Sequence, residues 1–276
     1  MYIVKSNLHC HTRYCDGKNT PEEYIRAALE RNFVSLGICI HAPADYDDAA
    51  ASPEAAQAFI REMAQLKEKY APRLELFCGI ENESYATNDV SLYDYSIDSV
   101  HYIEKDGELL CIDRSPECMR QNIELAFGGD TPAYVRAYYR RLAEVCQHSS
   151  ADFIGHIDLI SKFNEDGSVY DETDPRFLEP ALDTAGLCAE RGLPLEINSG
   201  AIARGWRTSP YPRAEILRCF REHGGKILIN SDAHSAQMLD CSFDLCTELA
   251  IHCGYTSLLQ MRSGGFEEIG IGEVKC

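Results

Sequence analysis

The sequence predicts an α/β fold in which a parallel sheet, wrapped by helices, closes into a barrel. Three observations carry this. Short apolar or β-branched runs recur seven times along the 276 residues. Helix-start signals separate most of them, and strand-helix alternation of this kind builds parallel sheets. Finally, each run ends in a residue able to bind a metal or make a hydrogen bond.

In chain order, Ile3 to Leu8 is the first strand and leads into "NLHCHTRYCDG", Asn7 to Gly17. Thr20-Pro21-Glu22-Glu23 combines an N-cap, a first-turn proline and a capping-box glutamate, so a helix follows. Phe33 to Ile40 is the second strand, and Ser52-Pro53-Glu54 repeats the cap-plus-proline signal. Leu74 to Ile80 and Tyr95 to Val100 are the third and fourth strands. The stretch Glu104 to Gly129 breaks the rhythm: "EKDGELLCID" followed by "AFGGD" reads as a hairpin over the barrel mouth, where a loop helps select substrates. Thr131-Pro132 opens the next helix, ahead of the fifth strand at Phe153 to Gly155. Helices at Pro175 to Arg191, Pro212 to His223 and Ser235 to Cys253 alternate with strands at Pro194 to Ile197 and Lys226 to Ile229. No linker, repeat or low-complexity tract interrupts the pattern, so residues 1–276 are expected to form a single domain.

A formal charge of -18, from 44 acidic against 26 basic residues, argues against a nucleic-acid or anionic-membrane partner. A small anionic substrate would need a local cationic pocket. The 13 cysteines are odd in number and contain no Cys-x-x-Cys pair, which favours reduced thiols. Tyr2-Ile3-Val4 passes directly into the His9 segment, leaving no room for a signal peptide, and no apolar stretch reaches the ~20 residues of a membrane span. A cytoplasmic location is expected.

The strand ends carry the chemistry. Alternate residues of a strand share a face, so His9 and His11 project together while Leu8 and Cys10 point away. The second strand ends in His41, the third in Glu81, the fourth in His101, the fifth in His156, the sixth in Asn198 and the seventh in Asp232 and His234. In a parallel barrel these carboxyl ends share one face, where such enzymes assemble their sites. Asp16 follows in "YCDGK", a sequence that also suits a turn. The remaining histidines, His148, His223 and His252, lie near predicted helix ends, where a cationic imidazole meets the negative end of the dipole. An unpaired carboxylate at the tip of an apolar strand would be costly, and a metal compensates it. Histidine and carboxylate donors without thiolates fit a catalytic Zn²⁺, Mn²⁺ or Fe²⁺ site; Cys10 and Cys15 are read as structural. Nine ligands exceed one ion's shell, but with one carboxylate bridging they provide ten bonds, enough for three ions in shells of four, three and three.

"NLHCHTRYCDG", "GICIHA", "CGIENE", "IDSVHYI", "FIGHIDLI" and "INSDAHS" together resemble the polymerase and histidinol phosphatase (PHP) superfamily, and within it the stand-alone histidinol-phosphate phosphatases. The six motifs occur in order over nearly the whole chain. The resemblance implies a distorted (β/α)7 TIM-like barrel with a trinuclear metal site at the carboxyl ends of the strands. By matching position, the first ion would take His9, His11, Glu81 and Asp232, the second Glu81, His101 and His156, and the third Asp16, His41 and His234. Three divalent ions, zinc, iron, manganese or a mixture, would be the cofactors. The implied reaction is hydrolysis of a small phosphomonoester, L-histidinol phosphate plus water giving L-histidinol and phosphate, with a metal-activated hydroxide as nucleophile. No Gly-x-x-x-x-Gly-Lys phosphate cradle is present. In the family, basic residues beyond the fifth and sixth strands contact the phosphate, which here points to Arg204 first, then Lys162 and Arg207. Lys162 stands where arginine is the commoner residue, and a lysine cannot make a bidentate contact. Competing readings are another small phosphomonoester, a nuclease, and a non-catalytic barrel that stores metal or binds phosphometabolites. The acidity and the lack of a basic-aromatic groove weigh against the nuclease.

Overall fold

The computed structural model describes residues 4–271. Its elements are β1 (Ser6–Asn7), α1 (Pro21–Glu30), β2 (Ser35–His41), α2 (Pro53–Tyr70), β3 (Glu75–Glu83) and β4 (Tyr95–Ser99). They continue as β5 (Tyr102–Lys105), β6 (Glu108–Cys111), α3 (Pro116–Gln121), α4 (Thr131–His148), β7 (Phe153–Ile154) and α5 (Pro175–Glu190). The last are β8 (Leu195–Asn198), α6 (Gly200–Ala203), α7 (Ala214–Glu222), β9 (Ile227–Asn230), α8 (Phe243–His252), β10 (Ser257–Arg262) and β11 (Gly265–Gly270). The seven-stranded sheet runs β1-β2-β3-β4-β7-β8-β9, with every pair parallel. This is the distorted (β/α)7 barrel.

The seam between first and last strands closes beyond their ends. His11 N–H donates to Ala233 O at 2.8 Å and Ala233 N–H donates to His9 O at 3.2 Å, a parallel bridge centred on Cys10 and Ala233. Lower on the seam, side chains replace the ladder: Asn230 Oδ1 accepts from Leu8 N–H at 2.8 Å, and Asn7 Nδ2 donates to Ser231 Oγ at 2.6 Å. β1 is therefore shorter than the expected Ile3 to Leu8, of which Ile3 lies outside the described residues. The backbone bonds that close the barrel run through two candidate ligands, His9 and His11, and through Ala233, which lies between Asp232 and His234.

Inside the barrel, Leu8, Cys39, Phe77, Tyr95, Ile97, Phe153, Leu228 and Met261 form a compact apolar plug. Met261 belongs to the β10–β11 hairpin, which covers the amino-terminal end and is anchored by Arg262 Nε on Glu75 Oε1 at 2.9 Å. The sequence reading contains no counterpart of this hairpin. A second, larger core lies between sheet and helices.

The helix starts follow local chemistry. Thr20 accepts from Glu23 N–H while Glu23 accepts from Thr20 N–H, a complete capping box, and Ser52 caps α2 through Ala55 N–H. α4 is capped by Asp130, not Thr131, because the Asp130 carboxylate reaches Ala133 N–H at 2.9 Å. α7 starts at Ala214, later than Pro212, because Tyr211 is held in an antiparallel bridge to Asn198. The expected helix from Ser235 to Cys253 is broken: Ser242 sits at φ 54, and Leu239 O accepts from Asn7 Nδ2 and Ser231 Oγ instead of a following helical turn. The stretch from Glu104 begins with the β5–β6 hairpin, whose Asp106-Gly107 turn has φ 52 and 87, as a tight hairpin requires. Twelve cysteines among the described residues are free, and no described helix is long and apolar enough to cross a membrane.

Candidate metal centre

All nine predicted ligands meet at the carboxyl ends of the strands. His41 is the last residue of β2, and Glu81 lies near the end of β3. His101 and His156 lie just past β4 and β7, and Asp232 and His234 just past β9. The turn containing Asp16 folds back over them, and Gly17 is required there because a Cβ would lie 2.0 Å from His11 O.

Glu81 is the hub and is almost wholly buried. Its Oε2 lies 3.2 Å from His9 Nε2, 3.2 Å from His11 Nε2 and 3.1 Å from His41 Nδ1. Its Oε1 lies 3.0 Å from His156 Nε2 and 3.6 Å from His101 Nε2. The two oxygens of one carboxylate thus serve different imidazole sets. Asp232 Oδ1 approaches His11 and His234 at 3.5 Å each and His9 at 3.7 Å. Asp16 lies 2.9 Å from His234 Nε2 and 3.6 Å from His41 Nε2. The His11 ring stacks on His41 with centroids 4.1 Å apart, joining the first group to the Asp16 group.

These spacings suit a cation. Two donors about 2.0–2.2 Å from one tetrahedral ion are separated by roughly 3.3–3.6 Å. His9 Nε2 and Glu81 Oε2 are buried, 3.2 Å apart, and neither has a hydrogen-bond partner; His156 Nδ1 is orphaned as well. Leaving such atoms unpaired is expensive, and a metal between them satisfies both. The donor set therefore fits divalent metal ions.

The electrostatics agree. Burial alone would raise the Glu81 pKa, but His9, His41 and His101 reverse this and hold it well below the usual carboxylate range. Burial likewise opposes ionisation of Asp232, and Arg204 with the neighbouring histidines outweighs it. Burial disfavours a charged His101, yet Glu81, with Glu83 hydrogen-bonded to its ring, pulls it up to about 10. His11, buried beside His41 and His234, is pushed down to about 3. The carboxylates thus bias His9, His41 and His101 toward their protonated forms, while His11 is biased the other way.

Two acids not picked out from the sequence hold the imidazoles. Glu196, fully buried on β8, accepts from His9 Nδ1–H at 3.0 Å, His156 N–H at 2.7 Å, Asn198 Nδ2 at 2.7 Å and Asn230 Nδ2 at 2.8 Å. This leaves His9 Nε2 aimed at the hub. Glu83 plays the same part for His101, accepting from its ring Nδ1 at 3.1 Å and its backbone N–H at 2.8 Å. Asn198 is thus a support for Glu196. Such outer partners typically contribute 10–100-fold to metal affinity. Glu196→Gln should weaken the tightest site by about that factor in a chelator competition assay.

Of the predicted cations, Arg204 and Lys162 line the cleft over the cluster, a cavity of about 140 Å³. Arg204 Nη1 donates to Asp232 Oδ2 at 3.1 Å and its Nη2 lies 2.9 Å from His234 Nδ1. Lys162 Nζ is paired with Asp113 Oδ2 at 2.9 Å, and Asp113 follows β6, so the hairpin region does reach the site. Arg207 does not line this cleft. It leaves the cleft because Gly205, at φ 74, turns the chain away, and it is held by Ser161 O at 2.6 Å, Glu172 at 3.2 Å and Glu165 at 3.3 Å.

The loops bearing Lys162 and Arg204 are tied together by a buried pair. Arg213 grips Asp158 in bidentate fashion at 3.0 and 3.1 Å, and Tyr139 donates to the same carboxylate at 2.6 Å. Removing one partner strands a buried charge, so Arg213→Ala should destabilise the fold by about 3–5 kcal/mol in urea unfolding. His148, His223 and His252 sit at the ends of α4, α7 and α8, with His223 bonded to Cys219 O and His252 to Arg218. Cys10 is buried in the outer core, and Cys15 Sγ lies 3.5 Å from His11 Nδ1.

A rim of imidazoles and carboxylates on a seven-stranded parallel barrel defines a class, the barrels that hold divalent metal ions at the mouth. More narrowly, the chain belongs to the PHP domain family, whose model matches residues 7–200. A protein of Deinococcus radiodurans named as a probable histidinol-phosphatase is 30% identical over 241 residues, 82% of this chain and 85% of that one. The histidinol-phosphatase of Bacillus subtilis is 25% identical over 263 residues, covering 85% and 95%. The crystal structure of Lactococcus lactis histidinol phosphate phosphatase, complexed with zinc, L-histidinol and phosphate, superposes with a TM-score of 0.71 at 18% identity, covering 96% of this chain and 100% of the other.

Proposed function

We propose that this chain is a metal-dependent phosphomonoesterase that hydrolyses L-histidinol phosphate to L-histidinol and phosphate. The observation that carries the reading is the Glu81 hub, one buried carboxylate facing two sets of imidazoles beneath a cleft that also holds Arg204 and Lys162. His9, His11, Glu81 and Asp232 would hold a first ion, Glu81, His101 and His156 a second, and Asp16, His41 and His234 a third; zinc, iron and manganese all suit these donors. When bound, the ions supply Lewis acidity toward the phosphoryl oxygens and activate water for attack on phosphorus.

The chain's own groups do the rest. Glu196 and Glu83 keep the ligating nitrogens of His9 and His101 directed inward. Arg204 offers a planar fork for phosphate oxygens, and Lys162 adds a point charge on the neighbouring loop. The small cleft, walled by Tyr102, Cys111 and Asp113, suits a metabolite better than a polymer. Free thiols support a reducing compartment, the cytoplasm, and the whole chain is read as one catalytic domain.

Arg204→Ala should raise KM for histidinol phosphate by about tenfold or more, as loss of a charge-assisted bond to phosphate implies. The substrate assignment is tested with a panel of phosphomonoesters in Mn²⁺ and Zn²⁺. A kcat/KM for histidinol phosphate at least ~100-fold above that for an aryl phosphate is expected. Equal values would remove the histidinol assignment and leave a general phosphomonoesterase.

A further inference from the structure

We propose that Cys39 is a sulfur ligand to the ion held by His9 and His11. The inference rests on the metal-centre reading above, but not on the identity of the substrate. Cys39 lies two residues before His41 on β2, so both side chains share the inward face. Its Sγ is fully buried and 3.9 Å from His11 Nε2, and it forms with His9 and His11 a set of ligand atoms all within 4.8 Å of one another. Donors bound at about 2.0–2.1 Å for nitrogen and 2.3 Å for sulfur lie roughly 3.5 Å apart at the tetrahedral angle and about 4.0 Å apart when that angle opens to about 135°. The observed separation falls inside that span.

Two further observations point to a ligand here. His9 Nε2, completely buried, belongs to the same set and has no hydrogen-bond partner. Apart from His11, the thiol has a long 3.5 Å contact to Cys10 O, a weak bond for a weak donor. Cys39 also belongs to the apolar plug with Leu8, Phe77, Tyr95, Ile97 and Phe153, so the metal rim has a dry floor on this side. Ligation is a simple exchange: the S–H bond breaks, its proton goes to solvent, and the sulfur lone pair forms the metal bond, with no change of oxidation state. A thiolate shifts this position toward zinc and away from manganese, whereas the Asp16, His41 and His234 position keeps harder donors.

The test is Co²⁺ titration of the metal-free protein, together with X-ray absorption of the zinc-loaded protein. Wild-type protein should show a thiolate-to-cobalt charge-transfer band in the near ultraviolet and a sulfur shell at about 2.3 Å from zinc. Cys39→Ser and Cys39→Ala should lose the band and weaken the tightest zinc site by about tenfold or more; Cys15→Ser should keep the band. A wild-type protein that binds cobalt without the band, a zinc spectrum without sulfur, or a band that survives both Cys39 variants would overturn the proposal. Should the Cys39 variants fail to fold, the wild-type spectra alone decide. Neither readout involves turnover, so a wrong substrate assignment leaves the result unaffected.

Discussion

Glu81→Gln is expected to lower kcat/KM for histidinol phosphate by on the order of 10³-fold or more, about 4 kcal/mol of transition-state stabilisation. Glutamine keeps the shape but loses the charge, and one of its two terminal atoms becomes an amide nitrogen with no lone pair to offer a metal. Glu81 Oε2 and Oε1 address different imidazole sets, so the substitution should disturb two ion positions at once. Steady-state kinetics with elemental analysis on the same sample check this. A variant retaining both full metal content and full turnover would show that the carboxylate is a spectator.

The second large effect is that of removing metal. Chelation should abolish hydrolysis, with recovery on adding Zn²⁺ or Mn²⁺. It should also lower stability, by about 4 kcal/mol for an ion otherwise present at 1,000 times its dissociation constant. The size of that loss should depend on pH, with a sign set by the site. His9 and His41 are raised, and His101 reaches about 10; each is pulled up by carboxylates against the opposing effect of burial. A raised histidine contributes its full stability below the unfolded value near 6.5 and loses it as pH climbs through the folded value. Glu81 and Asp232 are depressed, so their contribution holds at neutral pH and fades only in acid. His11, pushed down to about 3, opposes the other histidines only below about pH 6.5. The metal-free protein should therefore weaken as pH rises from about 6.5 toward 10. Metal binding strengthens over that range because protons no longer compete for the imidazoles. The Tm difference between loaded and stripped protein should widen between pH 6 and 8. A difference that narrows would contradict the assignment of these histidines as ligands.

The barrel was legible because strands buried on both faces read as nearly continuous apolar runs, as in "LGICI" and "ILI". The rim was legible because every run stops at an imidazole, a carboxylate or an amide, and strand alternation paired His9 with His11. The six-motif resemblance added the division of ligands among three ions, which spacing alone left open. Glu196 and Glu83 were harder to see: each lies two residues from a highlighted neighbour, Asn198 and Glu81, but one acid in a strand has no spacing signature. Cys39 carried a usable signal, its period-two relation to His41. Arg204 and Arg207 look alike in "ARGWR", and only the turn at Gly205 sends one into the cleft and the other to Glu165 and Glu172. The break at Ser242 depends on Asn7 and Ser231 capturing Leu239 O, a contact between opposite ends of the chain that no local pattern encodes.

The most direct measurement is anomalous diffraction from crystals soaked in zinc and phosphate. Peaks are expected on both sides of the Glu81 carboxylate and between Asp16, His41 and His234, with the phosphate touching Arg204. A barrel mouth without anomalous peaks, or ions bound only elsewhere, would contradict the account.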